Sequence, residues 1–142
     1  MAKVIRDTLI KAPLEKTFSY LTDPNNELEW LPSITDVREV TGQGVGKKWE
    51  WSYKMFGIPL KGNSEVTEQV DNEKYVFNTT GGTNSNWIFS FKKEDEGTRL
   101  NLKIEYTIPI PVLGKVAERL VLAQNEREAN LAIENIKSRL ES

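Results

Sequence analysis

A run of short segments with alternating side chains, separated by turn signals, dominates the middle of the sequence and most restricts its fold. Turn signals rich in glycine, asparagine or aspartate lie at 42–46, 56–57, 71–72, 81–82 and 95–97. Connections this short join antiparallel neighbours, so the pattern predicts an antiparallel meander. The segments between the turns alternate bulky and polar residues and predict strands at 34–41, 46–55, 58–70, 73–80, 84–93 and 98–108.

Another strand and three helical patterns flank this meander. Residues 3–11 alternate as a strand, and apolar residues then recur at helical spacing over 14–22. The stretch PNNELEWLP at 24–32 can hold a second short helix. Residues 112–140 contain no proline and are rich in helix formers, which predicts a helix of about 40 Å. The order predicts one α+β domain over 1–142, with helices on one face of a curved antiparallel sheet.

The composition excludes several classes of function. The net charge is −2 with acidic and basic residues interspersed, so we predict neither a nucleic-acid partner nor binding to an anionic membrane. Cysteine and histidine are both absent, which removes disulfides, thiolate catalysis and the commonest metal ligands. We therefore predict no metal site and no cofactor. The N-terminus has no unbroken apolar stretch, which predicts a cytoplasmic protein without an integral membrane segment.

Large side chains share one face of four predicted strands. Alternation places on that face Trp49, Trp51, Tyr53, Phe77, Thr79, Trp87, Phe89, Leu102, Ile104 and Tyr106. The simplest interpretation is a solid core packed against the C-terminal helix. The rings, however, outnumber what one helix can cover, and buried tryptophan and tyrosine side chains need polar partners. We predict that this face lines a pocket for an apolar ligand.

The C-terminal helix divides its apolar residues between two sides. Leu113, Val116 and Leu120 share one side, which we predict to form the inner wall of the pocket. A second set lies on nearly the opposite side and is predicted to grip the short helices; it includes Ile133, Ile136 and Leu140. Such a division implies a kink or two different surroundings along the helix.

Few polar groups are available to orient a ligand on this apolar wall. Tyr53, Thr79 and Tyr106 are the best candidates because they lie on the aromatic face. Trp30 stands beside Pro32 and leaves two alternatives, a plug on the core or a lip of the pocket mouth. We include Trp30 among the candidate ligand-binding residues.

Several short motifs occur in a specific order along nearly the whole chain. They include Ile10-Lys11-Ala12-Pro13, Glu29-Trp30-Leu31-Pro32, Gly44-Val45-Gly46, Gly97-Thr98-Arg99-Leu100 and the closing segment 136–141. In this order the chain resembles the START-like (SRPBCC, Bet v 1-like) superfamily with the helix-grip fold. Within that superfamily it is most similar to the polyketide cyclase/dehydrase and lipid-transport group, which includes coenzyme Q-binding-like proteins.

The resemblance implies a seven-stranded curved sheet wrapped around the C-terminal helix, with two short helices after the first strand. It also implies a deep cavity for a lipid, sterol, quinone or polyketide-like ligand. The superfamily contains iron–sulfur oxygenase domains as well, but this chain has none of the histidines and cysteines that their iron centres require.

Three classes of function fit these observations. The leading hypothesis is a non-catalytic binder or carrier of a hydrophobic small molecule. The second is a polyketide cyclase or dehydratase, with Tyr53 or Tyr106 as proton donor and Asp36 or Glu68 as a buried base. The third is a regulator of an unidentified protein partner, which an exposed apolar patch would support.

Overall fold

The computed structural model describes residues 2–55, 57–81, 84–107 and 115–142. Strand β1 (Ala2–Ile10) leads into helix α1 (Leu14–Leu21), a 3-10 turn (Pro24–Asn26) and helix α2 (Glu27–Trp30). The remaining elements are β2 (Ile34–Thr41), β3 (Lys48–Met55), β4 (Ile58–Val70), β5 (Lys74–Gly81), β6 (Ser85–Glu94), β7 (Gly97–Tyr106) and α3 (Lys115–Glu141). The predicted fold class and order of elements are confirmed, and the parts of predicted elements at 108 and 112–114 lie outside the described residues.

The seven strands form one antiparallel sheet in the order β1-β7-β6-β5-β4-β3-β2. Consecutive strands from β2 to β7 pair as hairpins, and β1 returns to pair with β7. The register breaks twice in the β2–β3 pair and once in the β4–β5 pair, between Val66 and Glu68. Breaks of this kind bend a strand and increase its twist, which favours the curvature of the sheet.

The concave face of the sheet carries the aromatic residues. Trp49, Phe77 and Phe89 are at most 2% exposed. Their rings pack edge-on or stacked with each other and with the Phe91 ring, with centroids 5.1 to 6.4 Å apart, both within a strand and between strands. Offset and edge-on contacts of this kind add to the stabilisation from burial alone. The predicted aromatic face is therefore the inner face of the sheet.

Helix α3 crosses this inner face and is held at several points. It packs against β1 and α2. Its C-terminal half presents a buried stripe consisting of Ala129, Ala132, Ile136 and Leu140. Two hydrogen bonds beside this stripe connect α3 to the rest of the fold: Arg6 Nε donates to Asn130 Oδ1 over 2.7 Å, and Asn135 Nδ2 donates to the Trp30 carbonyl oxygen over 3.3 Å. Within the described part of the chain, no helix is both long and apolar enough to cross a membrane.

Candidate ligand-binding site

A cavity of about 120 Å³ lies between the inner face of the sheet, α2 and α3. Its described lining is mainly apolar and consists of Val4, Glu27, Leu31, Ser33, Ile34, Trp51, Tyr53, Ser64, Phe77, Thr79, Ser85, Trp87, Ile104, Tyr106, Asn125, Glu128, Ala129 and Ala132. A dry protein cavity of about 150 Å³ holds benzene, so this space fits roughly one ring. Pockets for larger ligands usually measure about 300 to 1,000 Å³, well above this volume.

The structure brings part of the predicted site together around this cavity. The predicted residues that line it are Trp51, Tyr53, Phe77, Thr79, Trp87, Ile104 and Tyr106. They come from strands β3, β5, β6 and β7, whose side chains converge because the sheet is curved. Their role in ligand binding stays a prediction.

Other predicted residues lie elsewhere. Trp49, Phe89 and Leu102 are at most 1% exposed and pack in the core beside the cavity. Trp30 is 1% exposed and meets the ring of Phe89 edge-on at 6.0 Å, so of its two alternatives the structure favours the plug on the core. Leu113 and the side chain of Val116 lie outside the described residues.

The predicted division of α3 needs correction. Leu120 is 58% exposed and does not line the cavity. Instead the cavity meets Asn125, Glu128, Ala129 and Ala132, which lie on the same stripe as the core residues Ile136 and Leu140. One side of the helix therefore both packs in the core and lines the cavity. The missed signal was the placement of alanine, asparagine and glutamate at helical spacing in line with buried residues.

Polar side chains form a hydrogen-bonded group where α3 borders the cavity. The Ser33 hydroxyl donates to the Glu128 carboxylate, and Gln124 Nε2 donates to the same oxygen over 3.3 Å. Tyr106 is hydrogen-bonded to Asn125, and burial raises the pKa of the Tyr106 hydroxyl. These contacts hold one group of polar side chains at the α3 side of the cavity, and Glu27, Ser64, Thr79 and Ser85 line it elsewhere.

A second carboxyl group, Glu27, is buried where α2 meets the sheet. Glu27 is 4% exposed and lines the cavity, and its Oε1 accepts a hydrogen bond from the indole Nε1 of Trp49 over 3.2 Å. Burial raises the pKa of this carboxyl group to about 8, although the Trp49 bond and the charge of Lys47 oppose that shift. Glu27 therefore keeps its proton to a higher pH than an exposed carboxyl group, and in its protonated form it has an O–H group that can donate.

The buried cation Lys47 lies close enough to Glu27 for the charges of the two groups to interact. Its ammonium group donates to the Thr22 carbonyl oxygen and lies 5.3 Å from the centroid of the Tyr75 ring. Burial lowers the pKa of Lys47, while the charges of Asp23 and Glu27 oppose the change. Lys47 has partners of its own and is not among the described residues that line the cavity, whereas Glu27 lines it.

The prediction that Asp36 or Glu68 is a buried catalytic base is wrong. Asp36 is exposed and pairs with Arg38 at 2.9 Å, and Glu68 is exposed and pairs with Lys74 at 3.3 Å. Both stand directly after a break in strand register. An added residue at such a break reverses the inward and outward positions, so alternation counted along the sequence assigns the wrong face.

A curved antiparallel sheet that holds a long helix over an apolar cavity defines the helix-grip fold. Residues 1–141 match the family described as polyketide cyclase / dehydrase and lipid transport. The chain belongs to this family. An uncharacterized 17.2 kDa protein from the melC2-rnhH intergenic region of Streptomyces lincolnensis is 22% identical over 92% of this chain and 85% of its own length.

Solved structures of similar fold extend this comparison. TTHA0849 from Thermus thermophilus superposes with a TM-score of 0.85 at 21% identity, covering 98% of this chain and 97% of that one. The Zhui aromatase/cyclase from Streptomyces sp. R1128 superposes with a TM-score of 0.82 at 13% identity, covering 99% and 93%. At these identities the likeness concerns the fold.

Proposed function

We propose that this protein binds or carries a hydrophobic small molecule in the cavity between the sheet and α3. The observation that carries this proposal is the lining itself. Aromatic rings from three strands, those of Trp51, Phe77 and Trp87, line the cavity together with two alanines of α3, and no side chain among the described residues fills the space between them. An apolar cavity with a few convergent polar groups is the usual form of a small-molecule site. Membership of a family that includes lipid transport supports the same conclusion.

Filling the cavity from α3 is expected to abolish this binding. Ala132 is 1% exposed and lines the cavity, so Ala132→Leu places a larger side chain where a ligand ring would lie. We expect the affinity for p-xylene to fall by about tenfold or more, because the added atoms occupy a one-ring space. The measurement is an NMR titration that follows the indole N–H resonances of Trp51 and Trp87.

The matched control makes the same change on the exposed side of the helix. Ala123 is exposed, so Ala123→Leu should leave p-xylene affinity unchanged. Native mass spectrometry of the purified protein, followed by organic extraction, then identifies any cellular ligand. A wild-type protein that always purifies empty and binds neither p-xylene nor any other apolar probe would count against the proposal.

A second candidate function, dehydration or cyclisation of a poly-β-carbonyl compound, is favoured by one observation. Glu27 is a buried acid whose pKa of about 8 suits proton transfer near neutral pH, and Tyr106 lines the same cavity. The test is loss of water from a synthetic poly-β-ketone, followed by mass spectrometry. Turnover that declines as pH rises through 8 and is lost in Glu27→Gln supports catalysis, whereas a wild-type protein without turnover leaves binding as the function.

A further inference from the structure

The described cavity lining has an uneven distribution of charge. It contains two carboxyl groups, Glu27 and Glu128, and among its described residues there is no lysine or arginine. An anionic ligand entering this space would lose its hydration and find no cationic partner in that lining, which is costly in an apolar site. The lining therefore disfavours ligands such as fatty-acid carboxylates.

The Glu27 side chain has hydrogen-bonding capacity left over. In the described part of the chain its one side-chain hydrogen bond is the one that Oε1 accepts from Trp49. A protonated carboxyl group has one O–H donor as well as acceptor positions. Because Glu27 lines the cavity, a ligand can supply the acceptor for that donor.

We propose that Glu27 determines the specificity of the cavity, donating a hydrogen bond from its carboxyl group to an acceptor atom of a neutral, ring-sized ligand while disfavouring carboxylates. This inference rests on the proposed binding function and adds the class of ligand to it. A carbonyl oxygen on an aromatic ring fits both the donor and the one-ring space. Glu27 would act as a neutral donor in an apolar site, where such a hydrogen bond is stronger than in water.

Ionisation of Glu27 is expected to remove the preference of the cavity for ligands that carry a hydrogen-bond acceptor. Burial raises the pKa of its carboxyl group to about 8, so the donor is present at pH 6.5 and lost at pH 9.5. Other titratable groups surround Glu27 or face it across the cavity, namely Asp23, Lys47, Tyr53, Tyr75, Tyr106 and Glu128. All of them are retained in a Glu27→Gln variant, which therefore separates the titration of Glu27 from theirs.

The experiment compares three ligands of similar size: acetophenone with a carbonyl acceptor, ethylbenzene without one, and benzoate with a negative charge. Affinities for wild type, Glu27→Gln and Glu27→Leu are measured from the indole N–H shifts of Trp51 and Trp87 at pH 6.5 and 9.5. We expect the preference for acetophenone over ethylbenzene to be about three- to tenfold smaller in Glu27→Leu than in wild type at pH 6.5. Benzoate should bind at least about tenfold more weakly than acetophenone.

At pH 9.5 the preference of wild type for acetophenone over ethylbenzene should be as small as that of Glu27→Leu. The amide N–H group of Glu27→Gln still donates and does not titrate, so its preference should be the same at both pH values. An equal preference in wild type and Glu27→Leu, a wild-type preference unchanged by pH, or benzoate binding as tight as acetophenone binding would overturn the inference. If Glu27→Leu does not fold, the pH comparison between wild type and Glu27→Gln decides alone. If none of the three ligands binds although p-xylene does, this inference falls and the proposed function stands, whereas a wild-type protein that also purifies empty and binds no apolar probe overturns both.

Discussion

Replacing Gly62 with alanine is expected to lower the free energy of unfolding by about 3 kcal/mol and to displace the Trp51 indole from the cavity wall. Gly62 lies on β4 directly opposite Trp51 on β3. A Cβ atom on Gly62 would come closer than 3.0 Å to the six-membered ring of Trp51 and to the carbonyl oxygen of Thr80. The second contact involves backbone, so relief requires the strands themselves to move apart.

A second glycine shares this close approach. Gly81 of β5 pairs with Gly62, and a Cβ atom there would lie 2.7 Å from the Gly62 Cα. Its φ of +103° is also a conformation that residues with a side chain rarely adopt. The paired glycines allow two strands and the Trp51 ring to meet closely. One wall of the cavity therefore depends on the absence of side chains at these two positions.

Urea unfolding of Gly62→Ala tests this expectation, with Asn63→Ala as its control. Asn63 is the next residue of the same strand and is exposed, so its replacement should change stability by less than about 0.5 kcal/mol. The Trp51 indole N–H donates to Ser64 Oγ over 3.0 Å, and its NMR resonance reports displacement of the ring directly. Wild-type stability together with an unshifted Trp51 resonance in Gly62→Ala would contradict the argument.

The sheet could be predicted closely because each strand carries its own pattern. In β7 every second residue is buried, from Thr98 to Tyr106, and the alternation in the sequence is equally regular. Alternation fails where a residue is added. The register shifts after Val66, which is buried. Glu68 is two positions further along the strand and would point inward in a regular strand, but it is exposed and pairs with Lys74. No local feature of the sequence marks that shift.

The cavity side of α3 could not be predicted from apolar residues alone. A cavity exists where side chains are small, and Ala129 and Ala132 leave space that larger residues would fill. Glu27 was missed for a different reason. Helix α2 has only four residues, too few for periodicity to show which side faces inward. The buried carboxyl group of Glu27 accepts a hydrogen bond from Trp49 of β3, a contact between distant positions that local periodicity does not show.

The burial of Glu27 is also expected to make stability depend strongly on pH. Its carboxyl pKa is about 8 in the folded protein, against an ordinary value of 4.5 in the unfolded chain. Below pH 4.5 both states hold the proton, and the stabilising effect of the neutral acid is fully present. Between these values the folded state keeps the proton and the unfolded state does not, so stability falls as pH rises. Above about pH 8 both states are ionised and the loss is complete.

The expected slope is about 1.4 kcal/mol per pH unit, which amounts to several kcal/mol across the interval. The Glu27→Gln variant keeps an oxygen that can accept from the Trp49 indole but cannot ionise. Its stability relative to wild type should therefore rise steadily from pH 5 to pH 8 and then level off. Groups that do not interact with the charge of Glu27 affect both proteins equally, whereas Lys47 and Tyr75 do interact with it and contribute to the difference.

Urea unfolding at intervals from pH 5 to pH 9 measures this difference, and Glu29→Gln provides the matched control. Glu29 is an exposed carboxylate on the same short helix and accepts a hydrogen bond from the Tyr20 hydroxyl, so its replacement removes no buried acid and should lack the rise expected for Glu27→Gln. The Trp49 indole N–H resonance should shift with a midpoint near pH 8, because that group donates to the titrating carboxyl group. A flat Glu27→Gln difference together with an unchanging Trp49 resonance would mean that Glu27 is already ionised in the folded protein. In that case the neutral donor assigned to the cavity would not exist at physiological pH.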